Sequence, residues 1–276
     1  MGKNRFSIPI SINIPNILKL FMNKALIIFG SKSDEKVYNE IDSQLKKLKV
    51  DFDLRVSSAH KTPDDVDRAL QNDYCVIIAG AGLAAHLPGV VAARVLRPII
   101  GVPCEANYQG LDALLSVVQM PPGVPVLSVG VGKSKIAAEN CAKMMKSYNG
   151  VTIIGDKNND AVKKSTEVLK RFNVAYDFSK KPNKTTVNIE FTYFDEPIEQ
   201  KDELVIYCPL LDKKDDVAES SLNFLKHTNH GLWVGLNNGT NAAIAAVEIL
   251  NFGNEYEEEL IRYREEMGKK VLEANK

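Results

Sequence analysis

The 276-residue sequence has few of the residues that build disulfide-rich or metal-binding proteins. Its 4 cysteines show no C-x-x-C spacing, and its 4 histidines lack a metal-ligand pattern. This predicts free, buried thiols in a reducing compartment and no metal site. No apolar run is long enough to span a bilayer, and Pro9, Pro15 and Lys19 interrupt the N-terminal segment. Residues 1–21 are therefore expected to be a poorly ordered extension without an export signal, on a cytoplasmic protein.

The sequence also has no net charge, because its 35 basic residues balance its 35 acidic ones. The dense basic stripe of a nucleic-acid-binding protein is absent, while a mild basic excess in residues 1–150 suits a small anionic ligand. Two cofactor motifs fail. Gly132-Lys133-Ser134 ends like a P-loop, but Leu127 stands where the first glycine is required. Residues 142–145 do not have the order of a biotinyl-lysine site. We expect no cofactor, no nucleic-acid partner and no membrane partner.

The sequence does contain short apolar runs that alternate with helical patterns. Ser33 and Asp34 cap the first predicted helix, whose apolar positions are Val37, Ile41, Leu45 and Leu48, and Pro63 begins the second helix. The pattern predicts an α/β protein with an open parallel sheet covered by helices on both faces, a three-layer arrangement. The predicted strands of the first half are residues 25–30, 50–56, 74–79, 98–102 and 124–130, and residues 136–146 are predicted to be helical.

The second half repeats this pattern. Residues 169–177 match residues 45–53 position by position, and residues 202–208 resemble residues 73–79. A further strand at 151–155 and a final strand and helix at 232–236 and 241–250 keep the same order. Four matches in one order favour duplication. The predicted domains are 22–150 and 151–276, after the extension.

The loops that follow the predicted strands are the candidate chemical sites, because ligands of open α/β sheets bind beyond the strands' carboxyl ends. Residues 30–34 could cradle a phosphate or simply cap a helix. His60 could be a general base, since Lys61 and a helix N-terminus favour its neutral ring, or merely a solvated side chain. The loop of residues 79–89 fits G-x-G-x-x-A, but Pro88-Gly89 is expected to interrupt the following helix. Residues 101–125 are expected to form a mobile loop over the cleft.

Taken together, four segments resemble the PurE family of purine biosynthesis. They are Gly30-Ser-Lys-Ser-Asp34, Ser58-Ala-His-Lys-Thr-Pro63, Ala79-Gly-Ala-Gly-Leu-Ala-Ala-His-Leu-Pro-Gly89 and Leu114-Leu-Ser-Val-Val-Gln-Met-Pro-Pro-Gly-Val-Pro125. The resemblance spans residues 24–146 and implies a flavodoxin-like fold. It also implies transfer of a carboxyl group from the exocyclic nitrogen of an imidazole ribonucleotide to ring C4, without ATP, biotin or metal.

The resemblance further implies a set of site residues. His60 matches the catalytic histidine, which would act as acid and base while CO2 is released and recaptured. The positions that match substrate-binding residues are Ser31, Asp34, Ser58, Lys61, Ala81, Gly82 and His86. The family usually has arginine where this chain has Lys61, which exchanges a planar fork for a point charge.

The second half lacks a matching histidine loop and is expected to be non-catalytic. Its predicted counterpart of the second loop is 177–184, and that of the glycine loop is 209–214. Because family members form octamers of single domains, the resemblance implies a tetramer of two-copy chains. The sister activity, direct carboxylation of aminoimidazole ribonucleotide by CO2, is the main alternative. A non-catalytic nucleotide-binding protein is the third.

Overall fold

A computed structural model describes residues 24–194, 198–212 and 214–275 of the chain. The extension expected over residues 1–21 lies outside these ranges. Within them, one ten-stranded sheet runs through the molecule in the order β2-β1-β3-β4-β5-β10-β9-β8-β6-β7. The strands are β1 (Lys24–Phe29), β2 (Asp51–Val56), β3 (Val76–Ala81), β4 (Ile99–Pro103), β5 (Leu127–Ser128), β6 (Val151–Ile154), β7 (Tyr176–Phe178), β8 (Val187–Thr192), β9 (Val205–Pro209) and β10 (Leu232–Trp233).

Helices cover both faces of the first half of the sheet. Alternate residues of β1 point to opposite faces, so Ile27 packs with the α1 and α5 side and Leu26 with the α2, α3 and α4 side. The helices are α1 (Glu35–Lys47), α2 (Pro63–Ala69), α3 (His86–Ala92), α4 (Leu111–Val118), α5 (Ser134–Met144), α6 (Asp160–Arg171), α7 (Val217–His227), α8 (Gly239–Leu250) and α9 (Glu257–Glu273). None of the helices in the described ranges has the length and apolar character needed to cross a membrane.

The predicted α/β class and open sheet are confirmed, with mostly parallel pairing and some local corrections. Leu48 is 43% exposed rather than packed, because α1 ends at Lys47 and Lys49 turns the chain with a φ of 58°. Pro88 and Gly89 do not interrupt a helix: both lie in the first turns of α3, where a missing N–H costs nothing. The expected mobile loop over 101–125 is wrong for residues 111–118, which form α4 with a buried apolar face.

The second half has the same strand order as the first, and equivalent residues make equivalent backbone hydrogen bonds. Val50 N–H donates to the Leu45 carbonyl (3.0 Å), and Val174 N–H donates to that of Leu169 (2.9 Å). Gly132 N–H donates to Pro103 and Asn237 N–H donates to Pro209, both at 2.8 Å. Common strand order is what duplication predicts, while shared ancestry of the halves stays a prediction.

These equivalences correct one expected match. Residues 202–208 do not correspond to residues 73–79, because they lead into β9, which occupies the fourth place in its half as β4 does in the first. The third place belongs to β8, a strand that the sequence pattern did not reveal. Polar residues within it, such as the fully buried Asn188, interrupt the apolar run, although such alternation is also typical of a strand. The counterpart of the glycine loop therefore begins at Tyr193, and residues 209–214 correspond to the loop after β4.

The two halves meet where β5 and β10 pair in antiparallel fashion, Ser128 opposite Trp233. On each side of this seam, a glycine lets the backbone of the other half come close. A Cβ on Gly130 would overlap the Thr228 carbonyl, and a Cβ on Gly235 would lie 2.9 Å from the Val118 carbonyl oxygen. Aromatic rings from β9, β10 and α7 and aliphatic side chains of α4 fill the seam core. The halves are therefore packed as one body, and the carboxyl ends of β1–β4 are left at one edge.

Candidate active site

The loop after β1 is a tight polar turn. The Ser31 hydroxyl oxygen accepts hydrogen bonds from the Ser33 N–H (3.1 Å) and the Ser33 hydroxyl (2.8 Å). Asp34 is only 9% exposed, and burial raises the pKa of its carboxyl group, partly offset by a hydrogen bond from Ser33. Gly30 N–H donates to the Gly80 carbonyl (3.0 Å), which ties this turn to the loop after β3.

The loop after β2 is held by its own hydroxyl groups. Ser58 Oγ accepts from the Lys61 N–H (3.2 Å), and Thr62 Oγ1 accepts from the Ser58 N–H (2.9 Å). The Ser57 hydroxyl donates to Asp65 (2.8 Å), and this bond lowers the pKa of the Asp65 carboxyl group. The side chains that matter for chemistry, those of His60 and Lys61, extend from this fixed turn to the surface.

A histidine pair joins the second loop to the third. His60 Nε2 and His86 Nδ1 lie 3.1 Å apart, so one ring nitrogen donates to the other. The rings meet edge to face, with centroids 5.1 Å apart and planes at 85°. His86 is the first residue of α3. Both histidines singled out in the first half by sequence are thus brought into direct contact.

The loop after β3 is narrow and strained. A Cβ on Gly82 would lie 3.3 Å from that of Ala106, so the glycine permits the close backbone approach that the sequence predicts. The following residues Leu83, Ala84 and Ala85 have φ values of 42°, 58° and 28°. Left-handed conformations cost non-glycine residues about 1 kcal/mol or more each. The surrounding contacts must hold this loop, which leads directly into His86.

Asp112 makes one of those contacts and was missed by sequence reasoning. Its Oδ2 accepts a hydrogen bond from the Ala84 N–H (2.9 Å), while its buried Oδ1 has no partner among the described residues. It lies in the first turn of α4, after a loop in which Tyr108 and Gln109 are also left-handed. An acidic residue in a first helical turn normally suggests helix stabilisation, so its sequence position gave no sign of a link to the glycine loop.

The cysteines lie mostly in the protein interior. All four cysteines are free, and Cys104, Cys141 and Cys208 are buried. Burial and the nearby Asp34 carboxylate raise the pKa of Cys104, which disfavours a reactive thiolate beside the site. Across the described ranges, no cluster of three or more His, Cys, Asp or Glu side chains is arranged to hold a metal ion.

Comparison with known proteins matches this part of the chain. The family model described as AIR carboxylase matches residues 24–152. The N5-carboxyaminoimidazole ribonucleotide mutase of Methanocaldococcus jannaschii is 48% identical over 134 residues, which cover 44% of this chain and 85% of that protein. The chain belongs to the AIR carboxylase family.

A second relative agrees. The Pyrococcus abyssi protein with the same name is 48% identical over 127 residues, covering 44% of this chain and 73% of its own length. The crystal structure of Treponema denticola PurE is 30% identical over 42% of this chain and 75% of that chain, with a TM-score of 0.39. The AIR carboxylase match ends at residue 152, within β6, so all the candidate site residues fall inside it.

Proposed function

We propose that the chain is an N5-carboxyaminoimidazole ribonucleotide mutase, which moves a carboxyl group from the exocyclic nitrogen of its substrate to ring C4. The product is 5-amino-1-(5-phosphoribosyl)imidazole-4-carboxylate. The observation that carries the proposal is the His60–His86 pair, 3.1 Å apart at the carboxyl edge of a domain 48% identical to proteins of that name.

Residues of three loops, those after β1, β2 and β3, have separate roles in the proposed reaction. His60 is the catalytic residue: its protonated ring donates a proton to the exocyclic nitrogen as the N–C bond breaks and CO2 is released. Its neutral ring then takes the C4 proton once C4 has bonded to CO2, which restores the starting protonation state. His86 orients the His60 ring and lines the same pocket. Ser31, Asp34 and Ser58 bind polar groups of the substrate, and Lys61 provides a positive charge for its phosphate.

The glycine loop supplies the floor of the pocket. Because Gly82 lacks a side chain and Ala81 has a small one, substrate can approach the backbone there. No step requires a cofactor, since CO2 leaves one atom of the substrate and joins another while the ring supplies the electrons. The second half contributes no acid or base to this scheme.

The site is open in a single chain, since His60, Lys61 and His86 are all exposed. Released CO2 must be kept from water until recapture. We therefore propose that a second chain covers the site in a homo-oligomer, a tetramer of two-domain chains in the cytoplasm. Light scattering of the active enzyme tests this: a mass near one chain with full activity would contradict it.

The decisive assay compares two substrates with the wild-type protein and His60→Ala. The mutase should convert N5-carboxyaminoimidazole ribonucleotide at low bicarbonate, and His60→Ala should lose at least about 100-fold in kcat. Faster turnover of aminoimidazole ribonucleotide plus CO2 would instead identify a carboxylase, the activity in the family model's description. Full turnover by His60→Ala would overturn the mechanism, and substrate binding without turnover of either compound would indicate a non-catalytic binding protein.

A further inference from the structure

A buried asparagine of the second half holds a segment of the first half. Asn241, on α8, is 1% exposed. Its Oδ1 accepts from the Gly123 N–H (2.6 Å), and its Nδ2 donates to the Met120 and Pro121 carbonyls at 3.3 Å and 3.1 Å. One side chain thus satisfies three backbone groups of the linker between α4 and β5, all across the seam.

The held segment supports α3. A Cβ on Gly89 would lie 3.3 Å from Met120 Sδ, so the methionine packs directly against this helix. On the other side, a Cβ on Gly123 would meet Met267 and Tyr263 of α9. The linker is therefore enclosed between second-half side chains and the helix that begins at His86.

A second contact from the same half reaches the other end of α3. The Arg264 guanidinium donates to the Ala92 carbonyl (2.9 Å), the last residue of the helix. α3 has only 7 residues, so at about 1.5 Å per residue its two ends are only about 10 Å apart. A shift at Gly89 or Ala92 is consequently passed on to His86.

We propose that Asn241 and Arg264 are positioning residues of the second half, which fix α3 and thereby place His86 against His60. The catalytic consequence rests on the proposed function; the structural consequence does not. The arrangement is one-sided, because the first-half residue equivalent to Asn241 is Ile136 on α5, which offers no such hydrogen bonds. The second half is thus required by the site although it has no site residue.

The main test compares two buried asparagines of the second half. Asn241→Leu removes the three cross-seam hydrogen bonds of Asn241 and leaves the one that Asn238 Nδ2 donates to the Met120 carbonyl (3.3 Å). Asn188→Leu is the matched control, since Asn188 is also fully buried but bonds only within its own half, to Asn183, Thr186 and Leu204. Small displacements of catalytic groups cost up to about 100-fold in rate. We expect kcat to fall roughly 10-fold in Asn241→Leu with KM within about twofold, and kcat per folded molecule to be unchanged in Asn188→Leu.

Nitrogen-15 NMR of the histidine rings gives a readout that needs no substrate. The His86 and His60 ring signals should move in Asn241→Leu and stay in place in Asn188→Leu. If neither ring moves in Asn241→Leu, the proposal is wrong even when the enzyme is active. If the rings move and wild-type protein has no mutase activity, the proposed function fails while the positioning role stands.

Arg264 supplies a second pair of variants that leaves Asn241 intact. Arg264→Met removes the donor to Ala92, and Arg264→Lys retains one. We expect Arg264→Met to lower kcat several-fold with a shifted His86 signal, and Arg264→Lys to restore most of both. Equal losses of kcat in the two variants, with an unshifted His86 signal, would mean that Arg264 only stabilises the fold, and would contradict the proposal.

Discussion

The two halves of the molecule share one backbone design but differ in what stands at their strand ends. Lys49 and Asn173 both turn the chain with left-handed φ values, 58° and 52°, after equivalent helices. The strand ends nevertheless carry His60 and Lys61 in one half and no histidine in the other. The sheet, its register and its crossovers thus persist without the polar loops that form the candidate site.

The third loop shows how the difference arises. Cys104 N–H donates to the Ala81 carbonyl (2.9 Å), and Leu210 N–H donates to that of Thr192 (2.7 Å), which makes Ala81 and Thr192 equivalent. After Ala81 comes Gly82, whereas an aromatic pair follows Thr192. Phe194 packs its ring against those of Trp233, Phe224 and His227. The loop after this strand thus keeps an accessible glycine backbone in one half, whereas in the other half its second residue, Phe194, packs against the seam core.

Paired substitutions in the third loops should separate chemistry from packing. We expect His86→Ala to lower kcat/KM by about 100-fold or more, because His60 loses its ring partner, with little change in stability. Phe194→Ala should leave kcat/KM unchanged but lower the free energy of unfolding by roughly 2 kcal/mol, since it empties part of an aromatic cluster. Steady-state kinetics and urea unfolding measure the two effects. The comparison fails if Phe194→Ala also reduces turnover per folded molecule.

The packing of the helix that follows the fifth strand of each half, α5 or α8, offers a second contrast. A Cβ on Gly239 would overlap the Ala161 carbonyl. The equivalent position, Ser134, has room for a side chain, and the Ser134 hydroxyl donates to the Val37 carbonyl (3.1 Å). Because the Ala161 backbone cannot move aside as a flexible side chain could, Gly239→Ala should lower the free energy of unfolding by about 3 kcal/mol. Ser134→Ala should cost only about 1 kcal/mol, the value of one hydrogen bond. Denaturant midpoints would decide, and equal losses would mean that the two helix contacts are not equivalent.

Equivalent positions on α8 and α5 carry ionisable side chains of opposite type, an acid in one half and a base in the other. Glu248 on α8 is 3% exposed, and burial raises the pKa of its carboxyl group to about 8. Arg264 and Arg97 lower this pKa, while the like charge of Glu257 raises it further. Lys143 on α5 donates to the Lys201 and Glu203 carbonyls, and burial lowers its pKa. Each side chain faces the segment before the fourth strand of the other half.

The pH dependence of stability should therefore run in opposite directions. Folded Glu248 keeps its proton to about pH 8 while the unfolded group loses it near pH 4.5. The folded state binds more protons in that window, so this contribution is present below pH 4.5 and lost as pH rises through 8. Relative to wild type, Glu248→Gln should gain roughly 3 to 4 kcal/mol in free energy of unfolding as the pH rises from 5 to 8. Urea unfolding at several pH values measures it, and a pH-independent difference would refute the assignment.

Lys143 provides the matched control at the alkaline end. Its folded pKa is lowered, so the unfolded state binds more protons and wild-type stability should rise as pH approaches 10.5, the ordinary lysine value. Lys143→Met should remove this rise and leave the acidic window unchanged. The same slope in wild type and Lys143→Met between pH 8 and 10.5 would contradict the effect.

Sequence predicted the parts of the molecule that depend on local chemistry. Short apolar runs and capped helix starts predicted the first-half strands and the helices α1, α2, α5 and α8. The family segments predict His60 and His86 as site residues. β8 was missed because it lacks the continuous apolar run that indicated the other strands, although its alternating apolar and polar residues are also typical of a strand. Asp112, Asn241 and Arg264 were missed for a different reason: their partners lie 28, 118 and 172 residues away. No local pattern encodes such contacts.

The smallest expected effect concerns Lys61, the departure from the family's usual arginine. Its exposed side chain extends from a turn fixed by Ser58 and Thr62, so its backbone position does not depend on the residue type. A guanidinium can bind phosphate through two parallel hydrogen bonds, where an ammonium acts as a point charge. Lys61→Arg should thus keep KM unchanged or lower it by up to about threefold, while Lys61→Ala raises it. In the second half, Lys180→Ala is the control and should leave KM unchanged. A large loss of activity in Lys61→Arg would show that the site has adapted to lysine and that the phosphate is held in another way.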